Sequence, residues 1–146
     1  MKTLRPEVQN GIMLFFFIGL FFILVDLIGF ADNIWLRTLN IFFVFYFVNR
    51  TVKYYVDEGK NDFLSNIGAA VITSIIGVVL SVFGFIIYIK LFRGDAYLAE
   101  LSEPLIGAGE ELSLSQYSFA LFAEGIASSV IVAFILNQWW KNKGAD

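Results

Sequence analysis

The apolar residues of this chain lie in long blocks separated by short polar segments, and they do not alternate with polar residues over short stretches. The first block, residues 11–30, has twenty residues. At about 1.5 Å per residue, a helix of that length crosses a hydrocarbon core of roughly 30 Å. Membrane strands would instead give segments of about ten residues with alternating hydrophobicity. The pattern therefore predicts an all-α integral membrane protein.

Four transmembrane helices are predicted, packed as a bundle in a single domain over residues 1–146. Their spans are placed at about residues 11–30, 34–55, 67–89 and 117–140, and an acidic external loop is placed at residues 93–116. The loop is expected to contain a short surface helix. Its carboxylates are Asp95, Glu100, Glu103, Glu110 and Glu111.

Polar residues at the block boundaries indicate where individual helices begin and end. Asp32 or Asn33 can accept the free amide hydrogens at the start of the second helix, and Gly59 is a suitable residue to end that helix. Ser113 and Gln116 have the spacing of a capping box, in which each side chain accepts a hydrogen bond from the other residue's amide. This pair is expected to open the fourth helix.

Lysine and arginine are distributed unevenly between the predicted loops and termini, seven on one side and three on the other. The positive-inside rule then places both termini and the loop between the second and third spans in the cytoplasm of a bacterial inner membrane. The bias also argues against a protein that inserts in both orientations. The seven are Lys2, Arg5, Arg50, Lys53, Lys60, Lys141 and Lys143, and the three are Arg37, Lys90 and Arg93.

Composition agrees with a lipid environment and removes several kinds of chemistry. Charged residues make up 16% of the chain, against about a quarter in soluble domains. The chain has no cysteine and no histidine, which excludes thiol redox chemistry, disulfides, haem ligation by histidine and the commonest zinc sites. No cofactor or metal is expected. No basic patch interleaved with aromatic residues suggests a nucleic acid partner.

The third helix has one face of small residues and an opposite face of bulky aliphatic ones. No hydrophobic force drives helices together in lipid, so close approach over small residues must supply much of the association. The third helix is therefore the predicted centre of packing. The small face equally suits contact with a second copy of the chain. Its residues are Ala70, Ser74, Gly77, Ser81 and Gly84.

A polar layer is predicted in the outer half of the membrane, formed by Asp26, Arg37, Asn40 and Glu124 from three helices. Glu124 shares a helix face with Ala120, Ala127 and Gln138 in a helical projection, so its carboxylate is expected to point into the bundle. A lone charge at membrane depth costs at least about 2.5 to 3.5 kcal/mol, so a carboxylate without a counter-charge is expected to take up a proton instead. Arg37 can neutralise one carboxylate, and Lys90 or Arg93 the other.

This layer has two readings. It can be structural, with an arginine–carboxylate pair and an asparagine hydrogen bond that fix how the helices pack. It can also be a proton or cation site in a transport path, the usual suspicion for an ionisable residue within a membrane. The predicted inner half weakens the second reading, because only hydroxyl and amide groups could relay a proton there. These are Thr73, Ser74, Ser128, Ser129 and Gln138.

The chain also resembles a family of small bacterial four-helix inner-membrane proteins classed as a domain of unknown function. The resemblance covers nearly the whole chain and implies four helices in an inner membrane, but no catalytic residues. The motifs that carry it are Arg37 with Leu39-Asn40, Thr73-Ser74, Phe85-Ile86-Ile87-Tyr88 and Glu124-Gly125.

Together these features predict a membrane scaffold or accessory subunit with no enzymatic activity, which displays its acidic loop outside. The expected partners are the lipid bilayer and either another membrane protein or a second copy of the chain. The alternative is a small proton- or cation-coupled transporter centred on Glu124. An enzyme acting on lipid comes third, since nothing in the sequence marks a nucleophile.

Overall fold

The computed structural model describes residues 4–106 and 112–143, and every regular element within those ranges is helical. Lys2 and residues 107–111 of the predicted acidic loop, which include Glu110 and Glu111, lie outside the described residues. The elements are α1 (Pro6–Leu27), α2 (Ile34–Thr38), α3 (Asn40–Asp57), α4 (Phe63–Tyr88), a π-helical turn (Ile89–Arg93), α5 (Asp95–Ile106) and α6 (Leu114–Lys143).

Three of the described helices are long and apolar enough to cross a membrane: α1, α4 continued by the π-helical turn, and α6. The predicted all-helical fold class is therefore confirmed. The fourth predicted span is divided between α2 and α3, with a break at Leu39. Helix α3 is not among these three helices, because its 18 residues include the charged residues Arg50, Lys53 and Asp57.

Helices α1 and α3 end in the same glycine motif. Gly29 and Gly59 have φ angles of 80° and 79°, a left-handed conformation that residues with a Cβ rarely adopt. The amide of Phe30 donates to the carbonyl of Val25 at 3.0 Å, and the residue after Gly59 makes the equivalent bond at 2.9 Å. These bonds satisfy carbonyls that a helix end otherwise leaves free. Gly59 thus ends α3 as the sequence predicts.

Polar side chains cap the starts of three helices, α2, α4 and α6. Asn33, one of the two predicted caps, accepts a hydrogen bond from the amide of Trp35 at 3.0 Å. Ser113 and Gln116 form the predicted capping box, with their two reciprocal bonds at 3.2 and 3.0 Å. Helix α4 begins before its predicted start because Asp62 caps it, and hydrogen bonds from Ser65 lower the pKa of Asp62.

The four long helices α1, α3, α4 and α6 form a bundle in which α3 and α4 each pack against the other three. Helices α1 and α6 lie at opposite corners. Two clusters of buried apolar residues fill the bundle, one around Phe47 and Leu136 and the other around Ile89 and Tyr117. Helix α5 covers the second cluster through Leu98 and Leu101 and so closes one end of the bundle.

The small face of α4 lies at the centre of this packing. Ala70, Ser74 and Gly77 are buried, whereas Ser81 and Gly84 are partly exposed. A Cβ at Gly77 would clash with the side chain of Leu14 on α1. Helix α1 approaches so closely only because α4 has no side chain at that position.

The prediction of which face of α6 points into the bundle is wrong. Ala120, Glu124, Ala127 and Gln138 are all exposed on the isolated chain. Helix α6 packs against α4 at Gly125 instead. A Cβ at Gly125 would lie 2.7 Å from Cγ1 of Val78. That contact turns a different side of α6 into the bundle and leaves Glu124 at its edge. The residues buried on that side are Tyr117, Ser118, Ser129, Val132, Ala133, Leu136 and Asn137.

The contact between α1 and α4 can be tested with two glycines of α1. A Cβ at Gly11 would lie 2.7 Å from Cβ of Ile76 and 2.9 Å from the backbone oxygen of Thr73, which cannot move aside. Gly11→Ala should therefore destabilise the protein by about 1–3 kcal/mol, the usual cost of overpacking. A Cβ at Gly19 meets nothing within 4 Å, so Gly19→Ala is the matched control. Thermal unfolding in detergent measures both, and equal melting temperatures would contradict the packing described.

Candidate functional site

Asp26, near the end of α1, is bound by an arginine that follows α4. Its side chain is 3% exposed, and its Oδ2 lies 2.5 Å from Nη2 of Arg93. Nε of Arg93 donates to the same oxygen at 3.1 Å. Arg93, one of the two cations predicted to neutralise the second carboxylate, is therefore the counter-charge of Asp26. Lys90, the other candidate, is exposed and makes no ion pair with a described residue.

Two tyrosines complete the environment of Asp26. Tyr88 donates a hydrogen bond to Oδ2, and Tyr97 of α5 donates to Oδ1 at 2.7 Å. Burial and the bond to this carboxylate raise the pKa of Tyr97. The guanidinium of Arg93 also lies 4.7 Å from the ring centre of Tyr97. Asp26 thus joins α1, the end of α4 and α5.

The π-helical turn makes this arrangement possible. In an α-helix, residues five apart point in different directions, but in a π-helix the hydrogen bonds run from residue i to i+5 and bring such residues together. Tyr88 and Arg93 are five apart, and their side chains contact each other at 3.3 Å while both bind Asp26. Gly94, with a φ of 79°, then turns the chain into α5.

Arg37 on α2 forms the second ion pair, with Glu124 on α6. Nη2 of Arg37 lies 2.5 Å from Oε2 of Glu124, and Nη1 donates to the hydroxyl of Tyr117 at 2.9 Å. The Arg37 side chain is 16% exposed, whereas that of Glu124 is 50% exposed. Glu124 therefore does not point into the bundle as predicted. It reaches Arg37 from the edge of α6 because Gly125, not Glu124, packs against Val78 of α4.

The four residues of the predicted polar layer do not form one hydrogen-bonded group. Within the described parts of the chain, no hydrogen bond or ion pair joins Asp26 to Arg37, and each has its own partner. A series of contacting aromatic rings connects the two pairs instead, with centroid separations of 5.7, 5.9 and 5.2 Å. The rings are, in order, those of Tyr88, Phe22, Phe85 and Tyr117.

A cavity of about 380 Å³ lies beside the Arg37–Glu124 pair, between α1, α4, α6 and the α2–α3 junction. Its walls are mainly apolar, and its size is at the lower end of the range for ligand pockets, about 300–1,000 Å³. Asp26 and Arg93 do not line it. The polar residues that do include Arg37, Asn40, Ser81, Tyr117, Glu124 and Ser128.

Asn40, the fourth residue of the predicted layer, lines this cavity without a hydrogen-bond partner among the described residues. Its Oδ1 is buried and unpaired, as are Oγ of Ser81 and Nε of Arg37 in the same wall. Buried polar atoms without partners are uncommon in folded proteins and often mark a bound water or ligand. The expected structural hydrogen bond of Asn40 is therefore not formed within the described chain.

A second polar network, at the opposite end of the bundle, is not indicated by the apolar block boundaries. Asn10 donates to Oγ1 of Thr51 at 2.9 Å, and the hydroxyls of Thr51 and Thr73 lie 2.9 Å apart. Glu7, one turn before Asn10, accepts a hydrogen bond from Tyr55 at 2.7 Å. This network joins α1, α3 and α4, and of its members only Thr73 is among the relay groups considered from sequence.

The sequence does carry a signal for Glu7 and Asn10. The two residues and Leu14 have the i, i+3, i+7 spacing of one helix face, and all three are buried. The predicted first span begins at Gly11, so Glu7 and Asn10 fall outside it and this face is missed. Helix α1 begins at Pro6, so the face extends through its first two turns.

Comparison with protein-family models, with curated protein sequences and with solved structures finds no match for this chain. The resemblance to a four-helix membrane protein family therefore stays a prediction. What the site can do follows from its geometry. Asp26 is saturated with donors, and the accessible polar groups are those of the cavity.

Neutralising Asp26 should loosen α5 from the bundle. Asp26→Asn removes the charge that Arg93 and both tyrosines bind, so the protein should lose about 1.5–3 kcal/mol of stability, the range for a hydrogen bond to a charged group. Amide hydrogen exchange in α5 should accelerate in the same variant. Glu100→Gln, an exposed substitution on α5 itself, is the control and should change neither quantity. Unaltered exchange in Asp26→Asn would show that Asp26 does not hold α5.

Proposed function

We propose that the chain crosses the bacterial inner membrane four times, with both termini in the cytoplasm, and serves as a scaffold or accessory subunit without enzymatic activity. The three apolar helices account for three crossings. The remaining questions are whether α3 supplies the fourth crossing, what the polar clusters do, and what the protein presents to a partner.

The packing of α3 supports a fourth crossing. Residues 34–57, which α2 and α3 occupy apart from the break at Leu39, would extend about 36 Å at 1.5 Å per residue, enough for a bilayer core. Helix α3 packs against all three apolar helices and buries Phe47 and Val48 among them. Its charged residues, Arg50, Lys53 and Asp57, lie in its second half, where they would emerge on the cytoplasmic side.

The saturation of Asp26 is the observation that favours a structural role. Its two oxygens accept bonds from Arg93, Tyr88 and Tyr97, which leaves the carboxylate stabilised as an anion and poorly suited to release and rebind a proton. The cluster also fixes α5 across the end of the bundle. The exposed acidic residues Asp95, Glu100 and Glu103 of α5 are thereby held on a rigid element that a partner could recognise.

A small proton- or cation-coupled transporter is the second candidate, and the cavity is the observation in its favour. Glu124 lines the cavity, is half exposed and binds Arg37 through only one of its oxygens. A carboxylate in that position could exchange a proton or cation with whatever occupies the cavity. At the opposite end of the bundle Glu7 is the ionisable member of the second polar network, but no hydrogen bond between described residues joins that network to the cavity.

The fourth crossing can be tested by labelling, because the chain has no cysteine of its own. Single cysteines at Asp32, Glu58 and Glu100 are treated with a membrane-impermeant maleimide in spheroplasts. With four crossings, Asp32→Cys and Glu100→Cys react from outside, and Glu58→Cys reacts only after permeabilisation. If α3 does not cross, Asp32→Cys and Glu58→Cys react on the same side, opposite to Glu100→Cys.

The structural role can be tested on purified protein in liposomes that enclose a pH-sensitive dye. The wild type and Glu124→Gln should show no proton flux above empty liposomes when a pH gradient and a potential are imposed. Glu124→Gln should melt at a lower temperature in detergent, because it leaves Arg37 without its counter-charge. Wild-type flux that disappears in Glu124→Gln without a change in melting temperature would establish the transporter instead.

The accessory role has its own test, which does not depend on ion flux. Purification in a mild detergent from the native membrane should recover a second membrane protein in fixed stoichiometry. Charge reversal of α5, with Asp95→Lys and Glu100→Lys together, should release that protein, whereas Lys141→Glu on the cytoplasmic side should not. Repeated recovery of the chain alone would contradict the proposal.

A further inference from the structure

A depression of about 670 Å³ lies where the start of α1 meets the end of α3, at the end of the bundle away from Asp26. Arg5, Arg50 and Lys53 line it, together with a single carboxylate, Asp57. These side chains leave an excess of two positive charges in one concave site. The sequence places the three cations near one membrane face, but only the fold brings Arg5 next to the other two.

None of the three cations is neutralised within the described chain. The ion pairs formed there are Arg37–Glu124 and Arg93–Asp26, both at the other end of the bundle. Arg50 donates only to the sulfur of Met13 at 3.7 Å, and a thioether is a weak acceptor. A guanidinium binds phosphate oxygens far better, through charge-assisted and often bidentate hydrogen bonds.

The floor of the depression carries a fixed polar side chain. Asn10 lines it, is 5% exposed, and is held in place by its hydrogen bond to Thr51. The start of α1 adds little, because Pro6 has no amide hydrogen and the amides of Val8 and Gln9 donate to the carbonyl of Arg5. The attraction for an anion therefore comes from the cationic side chains.

An exposed apolar surface leads away from the depression along α1 and α3. Met13, which contacts Arg50, is followed by Phe17 and Tyr46, whose rings both contact Phe47. These three side chains are 36%, 46% and 60% exposed. A molecule with a phosphate headgroup in the depression could lay an acyl chain on this surface, whereas a soluble phosphate compound would leave it unused.

From this arrangement we propose that the depression binds the phosphate-bearing headgroup of an anionic membrane lipid. The inference rests on the proposed function in one respect, that the protein lies in a membrane with this end at the cytoplasmic leaflet. A phosphodiester headgroup supplies one negative charge, and a lipid with two phosphates would match the full excess of charge. The bound lipid would join the start of α1 to the end of α3.

Retention of lipid by the purified full chain, measured by native mass spectrometry, tests the site. The probes are phosphatidylglycerol and phosphatidylcholine with identical acyl chains. Wild type should retain phosphatidylglycerol preferentially. Each basic side chain near a membrane surface strengthens anionic lipid binding about fivefold, so the double variant Arg50→Gln, Lys53→Gln should weaken it by roughly twenty-five-fold.

The double variant Lys141→Gln, Lys143→Gln is the matched control, because it removes two exposed cations from the same predicted membrane face outside the depression. It should retain the lipid almost as the wild type does. Equal losses in the two double variants would show diffuse attraction and overturn the site. Melting temperatures of both variants exclude unfolding as the cause of any loss.

Competition with inorganic phosphate distinguishes a lipid headgroup from a soluble phosphate compound as the ligand of the depression. Millimolar phosphate should leave phosphatidylglycerol bound, because the acyl chains add affinity that phosphate lacks. Displacement of the lipid by phosphate would assign the depression to a soluble phosphate compound and overturn the proposal. Lipid retention is measured in detergent and does not depend on orientation in a membrane. A negative result there is therefore distinct from a negative result in the cysteine labelling, which tests orientation.

Discussion

A carboxylate inside a membrane-crossing helix bundle must be neutralised by the protein, because lipid cannot solvate its charge. Asp26 imposes this requirement near one end of α1, and the surrounding structure meets it. Arg93 supplies the charge, and Tyr88 and Tyr97 supply the remaining donors. The π-helical turn, the glycine that follows it and the position of α5 all serve to bring these three side chains to one carboxyl group.

The second ion pair, Arg37 with Glu124, differs in its surroundings. It borders a cavity, and Glu124 keeps one oxygen free of any described partner. The two pairs are linked by aromatic contacts rather than by hydrogen bonds. A change at one pair can therefore reach the other by packing, while their charges are compensated separately. This separation lets an Asp26 bound on both oxygens and an accessible Glu124 coexist in one small bundle.

The two ends of the bundle have opposite electrostatic character. At one end, α5 displays carboxylates over a closed apolar cluster. At the other, arginine and lysine side chains that form no ion pair with a described residue surround a depression at the start of α1. This polarity follows the charge asymmetry that orients membrane proteins. In the proposed roles, the acidic end faces a protein partner and the basic end faces a lipid headgroup.

The helical class, the glycine stop of α3, the capping box of α6 and the small face of α4 can be read from the sequence, because each depends on residues close together in the chain. Asp26, Arg37, Asn40 and Glu124 also stand out there, since they are polar groups in apolar blocks. Their partners depend on how the helices pack. The π-helical turn moves Arg93 out of α-helical register toward Asp26, and Gly125 against Val78 sets the rotation of α6 that leaves Glu124 at its edge. Helical rotation in lipid depends on which small residues allow backbones to approach, and a projection that ranks residues by polarity alone does not contain that information.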